Sequence, residues 1–181
     1  MNFLPAVTRI IDAHVDGAPT RLIVSGGPEL RGSTMESRLA DFQARHDHWR
    51  RALTGAPRSA PGTLGALLTD PERPGSLAGV LFFDADGIVS RSPSGTVAVV
   101  ASLAHLGKLR PGPLQLDTPT GAIGAQFELD GTVRLDDEAT TGRAHIMFDG
   151  TMVTEADDPY CWGGAAPATP ATPAADGLSG T

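Results

Sequence analysis

Residues 97–107, VAVVASLAHLG, constrain the fold more than any other part of this chain. The run is apolar nearly all round, and a helix without a polar face has to be buried on every side. The rest of the chain must therefore wrap about it. Ser94 is a candidate N-cap for this helix and Gly107 a candidate stop. Residues 90–96, SRSPSGT, form the loop that feeds it.

The wrapping material is a set of short strands. Residues 8–12 and 20–24 flank the turn cluster Asp16-Gly17-Ala18-Pro19. Residues 61–69, 76–83, 114–117 and 122–129 read as further strands. They are separated by turn compositions at Asp70-Pro71-Glu72-Arg73-Pro74-Gly75, Asp84-Ala85-Asp86-Gly87 and Thr118-Pro119-Thr120-Gly121. Asp130-Gly131 is a hairpin signal, and residues 144–148 and 151–154 read as a closing hairpin about Asp149-Gly150. One amphipathic helix is predicted over 34–53. Thr34 caps it, and Met35, Leu39, Phe42, Trp49 and Leu53 lie near helical spacing. The class is α+β, with one domain over 1–164 and a disordered Ala/Pro/Thr tail over 165–181.

Composition narrows the function. A net charge of −7 argues against binding to nucleic acid or to anionic membranes. A single cysteine, Cys161, excludes an intramolecular disulfide and a cysteine-built metal cluster within one chain. No apolar run reaches the roughly 18 residues of a membrane-spanning helix. The expectation is a soluble cytoplasmic protein without a metal or cofactor. His46 and His48, two apart on a helix, point in different directions and read as a solvated face. His105 reads as a packed core histidine, and His145 faces solvent or a cleft. Asp157-Asp158 reads as a solvated turn and Cys161 as incidental.

Several segments in order resemble the proline racemase family, which includes hydroxyproline epimerases and trans-3-hydroxyproline dehydratases. Residues 11–21, IDAHVDGAPTR, are similar to its opening strand and His-containing turn. Residues 56–58 and 64–71 resemble the segment before its active-site loop. Gly95-Thr96-Val97 and the buried helix resemble the helix that begins at its first catalytic loop. Residues 116–121, LDTPTG, resemble the strand and turn that follow. Residues 142–160 are similar to the family's C-terminal strand and its acidic Asp-Pro-aromatic motif. Family members are about twice as long and carry two pseudo-symmetric halves. The resemblance therefore implies one half of the diaminopimelate epimerase-like fold, short strands around a buried central helix, with the final strand retained.

The resemblance also implies a site. In the family two opposed cysteines transfer an α-proton, and amides at the helix starts hold the substrate carboxylate. The first loop there reads Met-Cys-Gly-His-Gly-Thr, which sets Ser92 at the cysteine, Pro93 at a glycine and Ser94 at the histidine. The second loop reads Arg-Ser-Pro-Cys-Gly-Thr, which sets Ser94 at the cysteine. In either register a serine replaces the thiol. The implied catalytic residues are Ser92, Ser94 and His14, and the implied substrate-binding residues are Gly95, Thr96 and Asp16. A hydroxyl is a far weaker base than a thiolate unless another base activates it. The expectation is thus a cofactor-independent enzyme acting on a small amino or imino acid. It would abstract a proton next to a carbonyl, leading to dehydration, isomerisation or cyclisation. The alternative is a non-catalytic small-molecule-binding or partner subunit. A homodimer is expected to replace the absent half, with Ser92 approaching Ser92 of the second copy.

Overall fold

A computed structural model describes residues 6–136, 139–155 and 157–164. The sequence expectation for the tail, 165–181, lies outside the described residues. The first hairpin joins β1 (Ala6–Val15) to β2 (Ala18–Ser25). Its two-residue turn has positive φ at both Asp16 (49°) and Gly17 (85°), the mirror-image turn that suits the right-handed twist of a hairpin.

A helical segment then leads to β3 (Leu64–Thr69) and β4 (Ala78–Phe83), which carries the short partner β5 (Ile88–Val89). The buried helix, α3 (Pro93–His105), follows. It is succeeded by β6 (Gly112–Thr118), β7 (Gly121–Phe127), β8 (Thr132–Leu135), β9 (Thr141–Arg143) and β10 (His145–Thr154).

These strands form one sheet in the order β10-β1-β2-β3-β4-β6-β7-β8-β9, with β5 paired to β4. Two neighbouring pairs are parallel, β2 with β3 and β4 with β6. Parallel neighbours require a crossover, and each of these has a helical one. The two ends of the strand order, β9 and β10, are separated in sequence by Ala144 alone. The sheet therefore curls until it nearly closes, and α3 fills the space inside.

Residues Gly95–Val100, Ser102 and Leu103 of α3 are buried. They pack on Ile11, Ala13, Leu22, Ala66, Val80, Phe82, Leu116 and Ile123 from the surrounding strands. Each fully buried aliphatic side chain contributes about 1.5–3 kcal/mol.

The first crossover covers the other face of β2, β3 and β4. It consists of α1 (Met35–Asp41), a π-turn over Phe42–His46 and α2 (Asp47–Thr54). Thr34 caps it as expected, in a reciprocal box with Ser37. Met35, Phe42, Trp49 and Leu53 pack with Ile23, Leu67, Leu81 and Phe83 into a second core. Phe42 stacks on Phe83 with ring centroids 5.2 Å apart. Phe83 in turn lies over Gly65, where an added Cβ would come within 2.1 Å of its ring.

Two local expectations are corrected. The cap of α3 is Ser92, not Ser94; Pro93 takes the first helical position, where no backbone N–H is needed. The closing hairpin about Asp149-Gly150 does not form. Residues 145–154 are one continuous strand along β1, because Ile11 opposite Asp149 and Ile10 opposite Gly150 continue the ladder through the Asp-Gly pair. Gly150 fits because the Phe148 ring lies over it, 2.4 Å from where a Cβ would stand.

Candidate functional site

The start of α3 is assembled around Ser92, which is 9% exposed. Its backbone is extended (φ −143°, ψ 105°), and its hydroxyl accepts the Gly95 N–H at 3.1 Å. The Ser92 carbonyl accepts both the Thr96 N–H and the Thr96 hydroxyl, each at 2.8 Å. Gly95 is required by packing: a Cβ there would stand 2.4 Å from Leu64 and 3.0 Å from Phe82. The Gly95 and Thr96 amides are thus spent within the cap. What remains at this helix end is Ser94. Its hydroxyl is 3.5 Å from that of Ser92, and its amide lies at the second helical position, where the helix supplies no acceptor.

His14 closes the β1 end of the first hairpin. Its Nδ1 accepts the Gly17 N–H at 3.2 Å, which in the neutral ring leaves the proton on Nε2. That nitrogen donates and does not accept. The ring stacks on His145 of the neighbouring strand, centroids 5.3 Å apart and 28° between planes. Asp16 is exposed in the turn. Neither His14 nor Asp16 hydrogen-bonds to Ser92 or Ser94, whose partners are those above.

His105, His46 and His48 depart from their sequence readings. His105 is not packed away; its side chain is 42% exposed and its Nε2 lies 3.1 Å from Asp149, which also pairs with Arg9. Both partners hold the Asp149 carboxyl below its usual range, His105 most strongly. His46 and His48 are half-buried and not a solvated face. His48 meets the edge of Trp162 at 4.4 Å. The chain that carries Trp162 is held by Arg58, which donates to the carbonyls of Tyr160 (3.0 Å) and Cys161 (2.6 Å) and to Asp158 (3.2 Å). Asp158 is therefore an ion-pair partner, and Cys161 is buried, with burial pushing its thiol pKa up.

Two buried polar nodes escaped the sequence reading. Arg21 forks onto both oxygens of Asp12 at 2.8 Å, and its Nη1 reaches the Leu53 and Arg58 carbonyls and the Ser59 hydroxyl. The signal was available: Asp12 and Arg21 lie equidistant from the Asp16-Gly17 turn and are opposite in register. The second is Asp117, fully buried in β6. It takes hydrogen bonds from the Glu72 and Arg73 amides, the Arg73 guanidinium and the Ser76 hydroxyl, at 2.7–2.9 Å. Burial works to raise its pKa, but these donors outweigh it and the carboxyl sits below its usual range. The Asp-Pro-Glu-Arg-Pro-Gly turn is folded around this carboxylate. Among the described residues no three His, Cys, Asp or Glu side chains are grouped to hold a metal ion.

The proline racemase family model matches residues 10–140. The chain is 42% identical over 126 residues to a 4-hydroxyproline 2-epimerase of Chromobacterium violaceum, covering 70% of this chain and 41% of that one. It is 38% identical over 157 residues to a 4-hydroxyproline 2-epimerase of Pseudomonas aeruginosa, covering 86% and 50%. The chain thus spans about half the length of the curated relatives it matches. Among solved structures, a probable proline racemase of Agrobacterium radiobacter with bound carbonate superposes with a TM-score of 0.66 at 24% identity, over 71% of this chain and 41% of that one. A hydroxyproline epimerase of Agrobacterium vitis with bound trans-4-hydroxy-L-proline gives 0.62 at 20% identity, over 74% and 39%. By the family match over most of its length and by its fold, the chain belongs to the proline racemase family.

Proposed function

We propose that this protein is an isomerase-type enzyme of its family, acting on a small amino or imino acid at the start of α3. The observation that carries this reading is the Ser92–Ser94 hydroxyl pair at the N-terminus of the buried helix, inside the family match. The open Ser94 amide and hydroxyl suit a carboxylate oxygen, and the positive end of the helix dipole favours the anion. The same groups stabilise the charge that moves onto that carboxylate when the α-proton leaves. The hydroxyls act as donors to the carboxylate; a hydroxyl is not itself a strong base, so the α-proton passes to solvent water. With no second base opposite the serine pair among the described residues, the arrangement favours proton transfer on one face over two-base racemisation. A second copy of the chain would cover the open side of the site, giving a homodimer.

A second reading is binding without turnover. It is favoured by the Ser92 hydroxyl, which is already engaged by Gly95 and has no base within hydrogen-bonding distance among the described residues. Proton NMR in deuterium oxide separates the two, with L-proline and trans-4-hydroxy-L-proline as probes. Loss of the α-proton signal, abolished in Ser94→Ala, supports the enzyme. Saturable binding without exchange supports the second reading. Neither exchange nor binding overturns both.

A further inference from the structure

Strands β2 and β3 outrun the helix they wrap. α3 ends at His105 and the chain turns away at Gly107 (φ 68°), whereas β2 continues to Ser25 and β3 to Thr69. Past the helix end, Val24, Leu68 and Leu77 are only partly covered. With Leu103 they floor an open cleft of about 550 Å³, in the size range of small-molecule sites. The loop about Pro28–Gly32 and Arg38 form its wall.

Both signs of charge stand on the rim. Glu29, Asp70 and Lys108 line the cleft, and their side chains have no partner among the described residues. Arg38 is tied through Nε to the Gly32 carbonyl (3.1 Å) and through Nη1 to the Asp70 carbonyl (2.5 Å), which leaves Nη2 open. An apolar floor beneath unpaired cations and unpaired carboxylates is complementary to a zwitterion with an apolar body. A simple carboxylate would meet Glu29 and Asp70 as like charges, and a simple amine would meet Lys108 and Arg38.

We propose that this cleft binds a free amino acid with an aliphatic side chain. Its carboxylate faces Lys108 and Arg38 Nη2, its ammonium faces Glu29 and Asp70, and its side chain rests on Val24, Leu68 and Leu103. The negative end of the α3 dipole favours the ammonium. The site lies at the far end of a 13-residue helix from Ser92, about 20 Å away, and does not depend on the function proposed there.

The test titrates the full chain with L-leucine, 4-methylpentanoate and 3-methylbutylamine, followed by amide chemical shifts. L-Leucine is expected to saturate at millimolar concentration with shifts at Val24, Leu68 and Lys108. It should bind more tightly than either single-charge analogue. Lys108→Gln and Glu29→Gln should each weaken it by about fivefold, the upper end of the scale for one exposed ion pair. Ser94→Ala should leave it unchanged. Absence of saturation, indifference to the Lys108 or Glu29 substitution, equal binding of an analogue, or loss of binding in Ser94→Ala overturns the proposal.

Discussion

The Ser92 hydroxyl accepts the Gly95 amide hydrogen at 3.1 Å, which makes Ser92 the N-cap of α3. A cap and an anion site make opposite demands on the same amide: the cap occupies it, and a bound carboxylate needs it free. Substitution should show the structural share. Ser92→Ala removes the acceptor and is expected to destabilise the fold by about 1 kcal/mol, whereas Ser92→Asp keeps it. Urea midpoints measure the difference. An alanine variant as stable as the parent would mean that the cap contributes nothing to the fold.

Arg21 should be the least replaceable surface-adjacent cation. Its side chain is 11% exposed, and its guanidinium satisfies Asp12 together with acceptors from α2 and the loop after it. Arg21→Met leaves the Asp12 carboxylate partly buried and unpaired, at an expected cost of about 3–5 kcal/mol. Arg21→Lys should recover little, since one ammonium cannot serve a bidentate carboxylate and the Leu53 carbonyl together. Pairing Arg21→Met with Asp12→Leu should restore part of the loss. Unfolding of the double variant at the same midpoint as Arg21→Met alone would contradict this.

Asp117 predicts the acid limb. Its folded-state pKa is depressed below the unfolded value, so the stability it contributes is complete above the unfolded pKa of about 3.9. That stability falls away as pH drops through the folded value. Between pH 5 and pH 2 the unfolding midpoint should therefore decline, and less steeply in Asp117→Asn. At neutral pH the asparagine should cost about 2–3 kcal/mol, because it replaces by an NH2 one of the two oxygens that the Glu72 and Arg73 amides, the Arg73 guanidinium and the Ser76 hydroxyl share. Parallel pH profiles for the two proteins would remove Asp117 as the cause.

Much of this architecture was legible. The all-apolar run at 97–107 required wrapping, and the sheet wraps it; Asp16-Gly17 and Thr34 did what their residue types imply. What was not legible depended on long-range pairing. Asp149-Gly150 has a turn composition, but β1 from Ala6 to His14 lay opposite to extend it. The π-turn at Phe42–His46 left no mark, because Met35, Phe42, Trp49 and Leu53 keep ordinary helical spacing through it. At the candidate site the residue types were readable and their engagement was not. Nothing in the sequence shows that Ser92 spends its hydroxyl on Gly95, or that Gly17 holds His14 in the donor tautomer.

The segment bearing Trp162 offers the last test. The two tryptophans, Trp49 and Trp162, meet at 5.6 Å, and His48 lies against Trp162. Burial, then the charges of His46 and Arg51, lower the His48 pKa from its ordinary 6.5. The neutral ring is thus the form the fold prefers. Its contribution is present above the unfolded pKa and is lost as pH falls through the lower folded value. Tryptophan emission should therefore shift to the red below about pH 6.5, as a charged His48 takes up water and loosens Trp162. His48→Phe should remove the step while preserving the edge contact. Arg58→Ala, which releases the Tyr160 and Cys161 carbonyls, should leave emission red-shifted at every pH. An identical step in His48→Phe would assign the change to another group, and an unshifted Arg58→Ala would show that Arg58 does not hold this segment in place.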